Sequence, residues 1–162
     1  MYACYLLAAI TYFLFITSGL QGIFGFLFLS ISHATFGFLT TIVYLFSQTL
    51  TLFFFVGTNT NIRDYSEKKP TVIPLFKQAK KIKNRVSGHI YLNILFFMTQ
   101  SILGGAIAAD AVPRFLHATV SGFTLLHFHY LLFLEHGGFK EMTNMIISMT
   151  SLNQKQKINA EP

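Results

Sequence analysis

Charge is scarce in this chain, and what there is lies unevenly. Charged residues make up 11% of its 162 residues, against about 25% in an average soluble domain. No Asp, Glu, Lys or Arg precedes Arg63, and an uncharged stretch of that length is about twice what one bilayer crossing needs. It must cross twice. Cysteine is nearly absent: Cys4 stands alone, which excludes an internal disulfide framework and a CxxC metal or redox centre. With hydrophobic types at 52% and a mean hydropathy of +0.52, a disordered chain is excluded as well. The basic residues adjoin apolar runs and form no water-facing module, so a nucleic-acid-binding domain is excluded. GxSxG, HExxH and GxxxxGKS/T motifs are missing, as is any intramembrane pair of carboxylates. These absences argue against an intramembrane hydrolase and an ion pump.

What is present is a set of four apolar segments: Tyr5 to Leu29, Ala34 to Val56, Ile90 to Ala109 and Phe115 to Leu134. Each is long enough, at 1.5 Å per residue, to span about 30 Å of hydrocarbon. Only Ser30, Ile31, Ser32 and His33 part the first two, so a tight turn is expected there. Asp110 to Arg114 part the last two, with Pro113 suited to a helix start. The first segment lacks the basic flank of a secretory signal and is read as a retained helix. The fold class is therefore all-α integral membrane, with four transmembrane helices arranged as two hairpins.

Of the 12 basic residues, eight lie between the second and third spans, three after the fourth, and Arg114 alone on the opposite side. The positive-inside rule then puts both termini in the cytoplasm, N-in and C-in, as expected of a bacterial inner (cytoplasmic) membrane protein. The chain divides into a first hairpin (1–58), a basic cytoplasmic connection (59–87), a second hairpin (88–138) and a cytoplasmic tail (139–162). Within the connection, Leu75, Ala79, Ile82 and Val86 fall on one helical stripe among Lys77, Lys80, Lys81 and Lys83. That pattern predicts an interfacial helix lying on anionic headgroups.

The two hairpins resemble each other. His33-Ala34-Thr35 opens the second span and His117-Ala118-Thr119 the fourth, while Gln21 to Gly25 in the first span matches Gln100 to Gly104 in the third. The offsets are 84 and 79 residues, and the longer second outer turn accounts for the difference. A duplicated two-helix unit related by an axis along the membrane normal is expected. His33 and His117 then lie at one depth near the outer interface, facing each other. Gly37 and Ser121, each four residues on, indent the same faces.

Two neutral imidazoles across such a gap can ligate a haem iron. In its four spans and its His33/His117 pairing the chain resembles four-helix membrane b-type cytochromes. The resemblance implies one low-spin haem b held by His33 and His117, with Arg114 placed to pair with a propionate. It also implies a small electron-transfer subunit working between a quinol or a partner subunit and an acceptor, and not an enzyme in its own right. The rival reading is a cofactor-free accessory or assembly subunit of a larger membrane complex, acting by packing and through its basic cytoplasmic helix; the expected partners are anionic lipid headgroups and other membrane subunits or further copies in a homo-oligomer. His127 and His129 lie about 15 and 18 Å further in than His117, as bundle-interior hydrogen-bonding groups or contacts of Gln48. His89 and His136 are expected at the inner interface, with Glu135, His136 and Lys140 as a helix-end cluster.

Overall fold

The computed structural model describes the backbone of residues 1–158, with side chains as far as Ser151 apart from residue 108. Four helices account for nearly all of it: α1 (Tyr2–Phe24), α2 (His33–Lys68), α3 (Ile73–Ala108) and α4 (Arg114–Ile158), with one 3-10 turn at Pro70–Val72. Each helix packs on the next in sequence. α4 returns to α1 through Tyr5 with His136 and Tyr12 with His129. Three stretches, Tyr2–Phe24, His33–Lys68 and Pro70–Ile107, are long and apolar enough to cross a membrane, which fits an integral membrane protein. α4 is the longest at 45 residues, but His117, His127, His129, Glu135 and His136 dilute its apolar run.

Polarity is distributed as lipid demands. Thr11, Gln21, Thr40, Ser47, Gln48, Thr51, Asn93 and Thr124 are buried, while Phe13, Phe46, Phe53, Leu95, Phe123 and Phe133 are exposed. Hydrocarbon gives an outward phenylalanine no reason to turn inward, and interior hydroxyls and amides can link helices. Several do: Thr41 Oγ1 and Ser101 Oγ lie 2.7 Å apart between α2 and α3, and the Tyr44 hydroxyl donates to Asn93 Oδ1 at 2.9 Å. Aromatic rings fill the middle. Tyr44 stacks on Phe97 with centroids 3.7 Å apart, and Phe55 stacks on Phe139 at 5.1 Å. Gly138 lets α4 close on that pair, since a Cβ there would stand 2.9 Å from Phe55 and 3.1 Å from Val86.

Two expectations need correction. The first helix stops five residues before the end of the apolar run. Gly25 takes a left-handed backbone (φ 68°) whose N–H returns to the Gln21 carbonyl, a common way to end a helix. Residues 25–32 form the loop between α1 and α2, with Leu29 and Ser30 also at positive φ, and Ser32 caps α2 by accepting from the Thr35 N–H. The tight four-residue turn is thus an eight-residue loop rich in apolar side chains.

The basic connection is not a separate interfacial segment. α2 runs unbroken to Lys68 and α3 starts at Ile73, so only the residues around Pro70 and Pro74 turn the chain. The stripe of Ala79, Ile82 and Val86 exists, but it is buried within the bundle. It packs in one apolar cluster with Ile62 of α2 and Met142 and Met145 of α4. Partner helices offer this stripe more enclosure than a headgroup layer could, so the helices extend together. At 36 residues each, α2 and α3 are about 54 Å long. Arg85 and Glu141 bridge α3 and α4 at 3.5 Å along this extension. The side chains of Lys155 and Lys157 lie outside the described residues.

Candidate histidine site

The end of the bundle where α2 and α4 begin brings His33 and His117 together. They start from the first turns of α2 and α4, which run parallel, and their ring centroids are 6.1 Å apart with planes at 72°. Each ring is backed by a glycine from its own hairpin. A Cβ at Gly22 of α1 would lie 2.9 Å from His33 Cε1, and a Cβ at Gly104 of α3 would lie 3.5 Å from His117 Cε1. Any larger residue at these places would meet the imidazoles.

The site also holds polar atoms with nothing to bond. His33 Nδ1 and His117 Nδ1 are buried without a partner, and so are the side-chain oxygens of Gln21 and Gln100. The four residues are two Gln/His sets, one from each hairpin. Gln21 Nε2 donates to the Ile31 carbonyl at 2.6 Å and pins the α1–α2 loop to α1. The His117 imidazole lies within reach of the Gln100 backbone carbonyl. An unsatisfied buried polar group costs about 1–3 kcal/mol, so these four atoms are candidates to hydrogen-bond or ligate a guest.

The other expected residues are placed as follows. Gly37 stands against α1, where a Cβ would be 3.4 Å from Ser18 Oγ, so it serves the α1–α2 approach. Ser121 is half-buried one turn beyond His117, and Arg114 is exposed at the first turn of α4. Among the described residues, no group of three or more His, Cys, Asp or Glu side chains could hold a metal ion. A pair of axial ligands to a macrocycle needs only two.

Comparisons of the chain with protein-family models, with curated proteins and with solved structures found no match.

Of the remaining histidines, His89 and His127 join one polar chain, whereas His129, expected in the bundle interior, is exposed, as is His136. His127 Nε2 lies 3.3 Å from His89 Nδ1, and its Nδ1 lies 2.9 Å from Asn93 Nδ2. Asn93 in turn accepts from Tyr44, giving a chain of four residues across three helices. His129 contacts Tyr12 and His136 contacts Tyr5 on the α1 side. Gln48 faces Glu135 instead of a histidine.

Sequence reasoning missed two features. Glu135 is 2% exposed and does not sit in a solvated helix-end cluster. Its position on the stripe of Phe128, Leu131, Phe139 and Met142 was the available signal. The glycines equivalent across the hairpins are Gly22 and Gly104, not the Gly25 and Gly104 that simple alignment of the repeat suggests. Gly25 instead ends α1.

Proposed function

We propose that this chain is a four-span, N-in and C-in membrane protein of two similar hairpins that binds one haem b through His33 and His117 and transfers electrons. The orientation rests on eleven of twelve basic residues falling on one side, the arrangement of a bacterial inner-membrane protein. α4 is the fourth span: its polar residues Thr124, His127 and Glu135 meet partners on other helices, while Phe115, Phe123, Leu126 and Phe133 face outward.

The observation that carries the haem reading is the spacing of the two rings. Imidazole nitrogens that hold a metal lie about 2 Å from it, so two rings that would share one metal must stand close together on facing helices. The rings stand 6.1 Å apart. The glycine backing of each imidazole supplies the fixed ring positions that such a site needs. Haem b bound there would supply reversible one-electron transfer. Within the chain, His33 and His117 would hold the iron, Gly22 and Gly104 would fix the ring positions, and the Gln100 carbonyl would orient His117. Arg114, exposed at the outer rim, is free to meet a propionate.

The test is a visible spectrum of the full chain expressed with ample haem. A reducible low-spin Soret band is expected, abolished by His33→Ala and by His117→Ala separately. His127→Ala and His129→Ala should leave it in place. A wild-type protein without haem, or a double alanine variant with an unchanged spectrum, would overturn the reading in favour of a cofactor-free accessory subunit.

A further inference from the structure

A second candidate site lies near the start of α1, between α1 and α4. These helices touch mainly through the rings of Tyr5 and Tyr12, because α1 otherwise presents the small side chains of Cys4, Ala8 and Ala9. The resulting crevice holds two cavities of about 250 and 240 Å³ that share Tyr5. Their linings differ. The deeper one is walled by Cys4, Ala8, Tyr12, Leu132 and Phe139, with Glu135 as its polar member. The one nearer the tail is bounded by His136, Lys140, Thr143 and Asn144. Lys140 is exposed, with no ion-pair partner among the described residues, and the Tyr5 hydroxyl lies 2.9 Å from His136 Nδ1.

Glu135 makes this more than a gap between helices. It is 2% exposed, and its Oε1 has no hydrogen-bond partner. The Gln48 side chain is within reach of the carboxyl, but one neutral amide does not sustain a carboxylate in apolar surroundings, so the group there is the neutral acid, which offers one O–H donor. Lys140 is five residues further along α4, about 7.5 Å nearer the water. A cation at one level and a carboxylic acid donor at the next, over an apolar slot, match three parts of one ligand: a phosphate, an ester carbonyl and an acyl chain.

We infer that the α1–α4 crevice binds one anionic glycerophospholipid of the inner leaflet, its phosphate at Lys140 and His136, its ester carbonyl at Glu135 and an acyl chain along Ala8 and Leu132. Basic pockets between helices on the cytoplasmic side are suited to such headgroups. The inference rests on the orientation proposed above and not on haem. A chain without haem could still hold the lipid, and reversed topology would assign the lipid to the outer leaflet without removing the site.

The experiment uses the full chain in nanodiscs of phosphatidylcholine with a minority of phosphatidylglycerol, gently extracted and weighed by native mass spectrometry. One retained phosphatidylglycerol per chain is expected. Lys140→Gln should weaken retention about fivefold, the effect of one juxtamembrane charge. Ala8→Phe should displace the lipid by filling the slot. Glu135→Leu should weaken retention, and Glu135→Gln, which keeps an N–H donor, should largely preserve it. Equal retention of phosphatidylcholine, or undiminished phosphatidylglycerol in both Lys140→Gln and Ala8→Phe, would reduce the contact to annular lipid only and overturn the inference. If Ala8→Phe fails to insert, Lys140→Gln decides alone, since that side chain is exposed.

Discussion

Replacing Gly22 by alanine and, separately, Gly104 by alanine should have unequal effects, although the two glycines play equivalent parts in the two hairpins. Both substitutions add the same methyl group, and both gain the same helix propensity, up to about 1 kcal/mol. The surroundings differ. At Gly104 the new Cβ would lie 3.5 Å from His117 Cε1, which is ordinary contact. At Gly22 it would lie 2.9 Å from His33 Cε1 and 3.1 Å from Nε2, whereas carbons at rest stand about 3.5–4.0 Å apart. The ring must therefore recede by about 0.5 Å, more than the roughly 0.2 Å tolerance of a metal–ligand distance. Overpacking of this kind costs about 1–3 kcal/mol, or about five- to 150-fold in haem affinity. Titration of the apoprotein with haem, followed at the Soret band, reads this directly, with helix content by circular dichroism as the control for folding. Gly104→Ala should bind as the wild type does, and Gly22→Ala should bind more weakly by that factor. Equal affinity in the two variants, or a greater loss in Gly104→Ala, would refute the reasoning.

The bundle interior gives further tests. Tyr44→Phe removes the donor to Asn93 Oδ1 and should cost about 1–3 kcal/mol in detergent unfolding, because a buried acceptor is left unpaired. A change below a few tenths would count against the network. Gly138→Ala should destabilise by about 1–3 kcal/mol through contact with Phe55 and Val86, whereas Gly137→Ala, with nothing within 4 Å, should be neutral or slightly stabilising. Equal thermal midpoints would show that α4 does not close on α2 as described. For topology, a Cys4→Ala background carrying Thr71→Cys should react with an impermeant maleimide only from the cytoplasmic side, and one carrying Ala111→Cys only from outside. The opposite pattern would invert the proposed orientation.

The sequence is informative here where one physical signal dominates. Long apolar runs mark helices because nothing in them competes with the helical backbone. The parallel placement of His33 and His117 at the heads of α2 and α4 follows from counting residues along two similar hairpins. Where two signals compete, reading fails. Phe26, Leu27 and Leu29 look like continuing helix, yet Gly25 has already ended it, and hydropathy carries no trace of a left-handed φ. The stripe at Leu75 to Val86 suits a headgroup layer as well as a partner helix, and only the presence of Met142 and Met145 opposite decides between them. Glu135 was hardest, since a carboxyl next to His136 and near Lys140 looks solvated until its helical face is known. The unpaired Nδ1 atoms of His33 and His117 belong to no local pattern, because whether a buried nitrogen finds a partner depends on the whole assembly.

The unbroken passage of α2 and α3 beyond the apolar spans changes what their charges can sense. On the proposed orientation Lys77 stands thirteen residues before Ile90, about 20 Å from the hydrocarbon edge, while the Debye length in physiological salt is about 8 Å. With headgroup charges about 6 Å outside that edge, Lys77 is still electrically remote from the bilayer surface, whereas Lys81, Arg85 and Lys140 remain inside its field. The single basic segment of the sequence becomes two groups. The nearer one answers to lipid composition. The farther one is held aloft on a rigid helical stem where anionic lipid is screened away, so only ions and soluble molecules can respond to it.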